Sequence, residues 1–173
     1  MSFLQSFMSF LRKQESRLIF KACPRPDRGI VSRFHGNDFS GWKRSLLMER
    51  LNQINEIDIA QYFKLSEFAC PCCKRVMLHP LLLNKLVEFR AIIKKPIYIT
   101  SGYRCAEYNQ KVGGIKCSYH LLGLAADIRV EGVSALDLLE HAEILNFSGI
   151  GFYEKKNFLH LDVRPTKLAR WRG

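Results

Sequence analysis

The chain has 173 residues, with 27 Lys or Arg against 16 Asp or Glu, a formal charge of +11. That length suits one domain with an extension, and the 47% apolar and 12% aromatic content argue against a wholly disordered chain. No apolar run approaches the roughly 18 residues of a membrane span, and no internal repeat, heptad or collagen period is present.

Residues 1–47 hold no lasting helix or strand period. Turn formers interrupt them at Pro24-Arg25-Pro26, Gly29, Gly36-Asn37-Asp38 and Gly41. They read as a basic, poorly structured extension. Segments 9–18 and 31–38 also look like a translated repeat element, which would put the natural start at Met48 or mark an acquired extension. No positively charged region precedes a clean apolar stretch, so no secretory signal is read. The expectation is cytoplasmic synthesis, with thiols free or metal-bound rather than in disulfides. The positive excess sits in residues 1–50 and 151–173. Such a chain attracts polyanions, but solubility and basic ends explain the excess, and specific nucleic-acid binding is not expected.

Residues 48–173 read as a domain. Leu51, Ile54 and Ile57 are spaced for one face of a helix over 48–63. Pro80 opens a second helix over 79–94, with Leu82, Leu83, Leu86, Phe89 and Ile93 as its inner stripe. A short strand follows over 96–100. A short helix over 106–112 is stopped by Gly113-Gly114. A strand over 125–130 puts Asp127 on one face and Ala126, Ile128 and Val130 on the other. Ser134, with Asp137 three residues on, caps a helix running to Leu145. Strands over 150–153 and 158–163 form a hairpin through residues 154–157. Few strands among separated helices predict an α+β fold with a small antiparallel sheet and flanking helices.

Three residues stand out for chemistry. His120 lies in a loop, seven residues before Asp127. That gap is wrong for two ligands on one helix and suits a loop residue followed by a strand residue, with Gly123 letting the chain bend. Asp127 is a carboxylate in an apolar run, and a charge there needs a partner such as a metal. Period-two alternation puts His160 and Asp162 on one strand face and Leu159, Leu161 and Val163 on the other. Two histidines and a carboxylate are a donor set for catalytic zinc.

These residues sit in an ordered set of motifs. Ile99-Thr-Ser-Gly-Tyr-Arg-Cys105 is followed by Asn109 and Val112-Gly-Gly114. Then come Ser118-x-His120-x-x-Gly123-x-Ala125-x-Asp127, Gly149-Ile-Gly-Phe-Tyr153 and Phe158-x-His160-x-Asp162. The set, over a core of about 63–164 that opens with Leu65-Ser-Glu-Phe68, resembles the zinc D-Ala-D-Ala carboxypeptidase family. That family comprises peptidoglycan-cleaving metallopeptidases, including phage endolysins and murein endopeptidases, and shares its fold with lysostaphin-type peptidases and the hedgehog signalling domain. The resemblance implies Zn²⁺ held by His120, Asp127 and His160. It implies Arg104 as the arginine that holds substrate carboxylate or the developing oxyanion, and Ser118 as a residue that trims the pocket or supports a ligand. Many members carry Glu or Asp three residues before the last histidine; here that residue is Asn157, which cannot take a proton. Asp162 is then the candidate general base, or the residue that orients His160, and murein endopeptidase-like relatives keep this His-x-Asp pattern. Glu154 is a weaker candidate, more simply a solvated turn residue.

The substrate so implied is a peptidoglycan stem peptide or cross-link, reached at the bacterial cell wall from a cellular or phage origin. The alternative is a metal-binding but catalytically silent module that binds wall peptide or a protein partner, and Asn157 is its best support. Cys70-Pro-Cys72-Cys73 holds a C-x-x-C pair and invites a further reading, as a four-thiolate structural zinc site completed by Cys105 and Cys117. Disulfides and buried free thiols are the rivals. Residues 165–173 carry three positive charges and read as a solvated end with Trp171 tucked back, or as a contact for anionic wall polymer.

Overall fold

The computed structural model describes residues 48–53 and 55–173. The reading of residues 1–47 lies outside the described residues, as does Ile54.

Residues 48–53 are helical, but the expected single helix to residue 63 is not formed. Two short antiparallel strands, β1 (Asp58–Ala60) and β2 (Phe63–Lys64), take its second half. Ile57 is 53% exposed, whereas Ile59 packs against the core. Pairing with β2 and the seat of Ile59 on the core therefore outweigh the helical spacing, and Leu65 N–H donates to the Ile57 carbonyl at 3.0 Å. A 3₁₀ turn, Leu65–Phe68, follows.

Helix α1 (Pro80–Ile93) starts as expected, with Pro80 in its first turn and His79 Nδ1 accepting from Leu81 N–H at 3.2 Å. Its stripe Leu82, Leu86 and Phe89 is buried, and Leu83 and Ile93 are partly so. Strand β3 (Ile97–Ser101), helix α2 (Ala106–Lys111), strand β4 (Ala125–Val130) and helix α3 (Ala135–Ile144) come next. Ser134 Oγ accepts from Asp137 N–H at 3.2 Å, which caps α3. The expected hairpin is β5 (Gly149–Tyr153) and β6 (Phe158–Asp162).

The main sheet has the order β3-β4-β6-β5-β7. All neighbours are antiparallel except β5 and β7 (Ala169–Arg172), which run parallel. Strand β7 corrects the reading of residues 165–173 as a solvated end. Arg170 pairs with Glu143 of α3 at 2.6 and 2.7 Å, and Arg172 lies 5.1 Å over the Phe152 ring and pairs with Glu154. Its charged residues are thus anchored on the helix side of the sheet.

The fold is α+β, with α1 and α3 on one sheet face. Ala126, Ile128, Leu159, Leu161, Ile150 and Phe152 point to that face and join Leu82, Leu86, Phe89, Leu138, Ala142 and Phe147 in one core. Phe89 and Phe147 meet edge to face at 6.2 Å. The helices cover this face of the sheet, and the row through Asp127 and His160 lies on the other. No helix among the described residues is long and apolar enough to cross a membrane.

Candidate metal centre

Strand register builds the site. Ser101, Asp127, His160, Gly151 and Trp171 are partners in turn across the five strands, so they form one row on the face away from the helices. His160 lies on the central strand, directly opposite Asp127. His120 comes from a 3₁₀ turn, Tyr119–Leu122, that folds over this row. Gly123 ends the turn at φ 66°, where a side chain would be strained and a Cβ would lie 2.4 Å from the Met77 carbonyl oxygen.

Three donor atoms converge. Asp127 Oδ1 lies 3.1 Å from His120 Nε2 and 2.9 Å from His160 Nδ1, and the two ring nitrogens are 3.1 Å apart. The other nitrogen of each ring is tied. His120 Nδ1–H donates to the Gly102 carbonyl at 2.7 Å, and His160 Nε2–H donates to Asp162 Oδ2 at 3.2 Å. Both rings therefore turn an unprotonated nitrogen toward Asp127 when neutral. A tetrahedral zinc with bonds near 2.0 Å has ligand atoms about 3.3 Å apart. The triangle of about 3 Å edges and its mixed nitrogen and oxygen donors fit such an ion, and the three residues form a group able to hold a metal.

The electrostatics follow from burial and neighbours. Burial pushes the His120 pKa down, toward the neutral ring a metal needs. Burial alone would lower His160 too, but Asp127 and Asp162 on its two sides outweigh that and raise it. Burial alone would raise Asp127, but the two histidine rings beside it, when they carry charge, outweigh that and hold it well below the ordinary carboxylate range. The Arg104 guanidinium takes the other Asp127 oxygen, Oδ2, and Arg104 Nε–H donates to Ser101 Oγ at 2.7 Å.

Both roles expected of Asp162 depend on its surroundings. Asp162 is fully buried and meets the nitrogen of His160 that faces away from the donor triangle. Arg164 grips its carboxylate, with Nε–H 2.8 Å from Oδ1 and Nη2–H 2.5 Å from Oδ2, and Arg164 N–H adds a bond at 3.1 Å. Burial would raise the Asp162 pKa, but Arg164 and His160 hold it at about 2. That surrounding places the Asp162 carboxylate where it can orient the His160 ring. Asn157 is spent on structure: its Oδ1 accepts from Ala135 N–H at 2.8 Å, at the start of α3. Glu154 is exposed and paired with Arg172. Ser118 is buried at the start of the His120 turn, and its hydroxyl makes no cap bond.

Several contributors were not read as functional. Trp171 lies 5.1 Å from the His160 ring, and its Nε1–H donates to Tyr153 OH at 3.2 Å. Arg164 is held between Tyr119 and Trp171, at 4.7 and 5.3 Å from their rings. Gly149 and Gly151 make room for these groups. A Cβ at Gly149 would lie 2.1 Å from Asp162 Oδ2, and one at Gly151 would lie 2.5 Å from the Trp171 ring. The Gly-x-Gly spacing on β5 is the visible trace of this crowding.

The cysteine cluster also differs from expectation. Cys70, Cys72, Cys73 and Cys105 come together; Cys117 is not one of the four.

A family model described as Peptidase M15 matches residues 61–162, more than half of the chain. The chain is 30% identical over 97 residues to the peptidoglycan L,D-endopeptidase MepK of Escherichia coli strain K12, covering 52% of this chain and 53% of that protein. It is 38% identical over 82 residues to the probable peptidoglycan L,D-endopeptidase MepK of Haemophilus influenzae, covering 44% and 43%. The chain thus spans about half the length of the curated relatives it matches.

Proposed function

The chain belongs to the peptidase M15 family, and from that premise we propose that it is a zinc-dependent peptidase hydrolysing amide bonds in peptidoglycan peptides. The observation that carries the reading is the convergence of His120 Nε2, Asp127 Oδ1 and His160 Nδ1, with each ring's other nitrogen tied off. These three residues would hold the metal. Zinc, when bound there, supplies a Lewis acid that polarises a peptide carbonyl and brings the pKa of water near neutrality. The relatives are named L,D-endopeptidases, so an amide inside the peptide is preferred here over a terminal D-Ala.

Arg104 uses one of its five N–H donors on Asp127 and one on Ser101. The remaining donors form a planar fork for a substrate carboxylate or a carbonyl oxygen that gains charge. Ser118, beside the His120 turn, is assigned to the substrate side of the pocket. Asp162 and Arg164 act through His160, which they hold in one tautomer and one orientation. They are positioning residues, and among the described residues Asp162 is held by Arg164 and His160 and Glu154 by Arg172, so neither candidate stands in for the Glu or Asp that Asn157 replaces.

That last feature favours a second reading, a module that binds metal and wall peptide without cutting it. Digestion of purified peptidoglycan separates the two. The enzyme releases peptides whose masses identify the bond, and His160→Ala or a chelator abolishes release. Metal-loaded protein that binds peptidoglycan but releases nothing overturns the peptidase reading in favour of the silent module.

A further inference from the structure

Away from the His120 site, four thiols crowd one point. Cys72 Sγ lies 3.1 Å from Cys105 Sγ and 3.5 Å from Cys70 Sγ, and all four sulfurs, Cys73 included, lie within 4.8 Å of one another. In a tetrahedral ion with Zn–S bonds near 2.3 Å the sulfurs stand about 3.8 Å apart. The local backbone is shaped like a ligand loop. Lys74 N–H donates to the Cys70 carbonyl and Cys70 N–H to the Arg75 carbonyl, both at 2.9 Å, so residues 70–75 close on themselves. Lys74 turns at φ 56° to allow it, and Asn55 Nδ2–H holds the Lys74 carbonyl at 2.7 Å. Cys105 N–H points at Cys70 Sγ and Tyr108 N–H at Cys105 Sγ, both at 3.4 Å. Such N–H groups stabilise sulfur as thiolate.

We propose that Cys70, Cys72, Cys73 and Cys105 bind a second, structural metal ion of the thiophilic class, zinc foremost. Four thiols release their protons to solvent on binding, and no oxidant is needed. The charges support the same site. Burial raises the Cys70 pKa, but N–H groups of Cys105, Cys72 and Cys73 outweigh it and bring it to about 7. Cys72 is pushed up, foremost by its contact with Cys105, because neighbouring sulfurs cannot all ionise without a cation. Arg75, beside Cys73, adds positive charge at the rim.

The position gives the ion a task. Cys105 follows Arg104, which grips Asp127, and Gly102 just upstream accepts from His120. Gly102 is packed so tightly on Phe68 that a Cβ would lie 2.5 Å from the Phe68 Cα, and Tyr103 N–H donates to the Phe68 carbonyl at 2.9 Å. Tying residues 70–73 to Cys105 fastens the segment that supports two of the three site residues.

Elemental analysis of the full chain tests this, with His120→Ala and Cys72→Ser alongside. Cys72 is the exposed member of the four, so its variant is the one best able to fold. The expected result is two equivalents of metal in the wild type and one in each variant. Cobalt reconstitution should give thiolate-to-cobalt charge-transfer absorption in wild type and His120→Ala, and lose most of it in Cys72→Ser. The proposal is overturned by a single equivalent lost wholly in His120→Ala, by rapid alkylation mapped to all four cysteines in metal-replete protein, or by a disulfide between Cys72 and Cys105. A single equivalent kept in His120→Ala and lost in Cys72→Ser instead upholds this site and removes the histidine site.

Discussion

Asp162 spends both oxygens, on the Arg164 guanidinium and on the His160 Nε2–H, and this decides what its substitution does. Asp162→Asn keeps the shape but removes the acceptor charge that fixes His160. We expect metal affinity to fall about 10–100-fold, read by competition with a chelator. Unchanged affinity in the folded variant would contradict the positioning role. Asn157 is the converse case, since its side chain accepts from the first N–H of α3. Asn157→Ala should cost about 1–2 kcal/mol of stability, seen in urea unfolding, while peptide release stays close to wild type. Lost release at unchanged stability would put Asn157 in the chemistry.

At the scale of elements, β7 gives the site a neighbour that neither β4 nor β6 supplies. It runs parallel to β5 and sets Trp171 on the same row as His160. Gly151→Ala pushes a methyl group into the Trp171 ring. A loss of about 1–3 kcal/mol is expected from overpacking, together with lower peptide release. A variant with full activity and wild-type melting would show that the indole does not need this seat. The β5–β6 hairpin was legible in the sequence, because apolar and polar residues alternate on either side of a polar turn, and with it the shared face of His160 and Asp162. The loop-then-strand reading of His120 and Asp127 was legible for a like reason. Strand β7 was not, since Arg170-Trp171-Arg172 looks like a charged tail until Glu143 and Glu154 are seen to receive the arginines. Parallel pairing to a strand far back in the chain leaves no local mark. Helical spacing at residues 51–57 likewise hid β1, which needs β2 and the core to form.

On the scale of the whole molecule, one sheet separates two jobs. Its helix face carries the core, and its open face carries the donor triangle. Leu161 sits fully buried on β6, one residue from His160 and from Asp162. Leu161→Ala should destabilise by about 2–5 kcal/mol in chemical unfolding, yet keep one metal equivalent at the histidines wherever the protein remains folded. Loss of metal from the folded variant would mean that the two faces are not separable. The motif order made the peptidase family legible and singled out three residues that converge in the fold, but the partners of each charge, such as Arg104 on Asp127, exist only in the folded chain. The most direct measurement is metal content and peptidoglycan peptide release on the same samples of wild type and His120→Ala. The account predicts that His120→Ala loses one metal equivalent and all release together. Release that persists without that metal would contradict it.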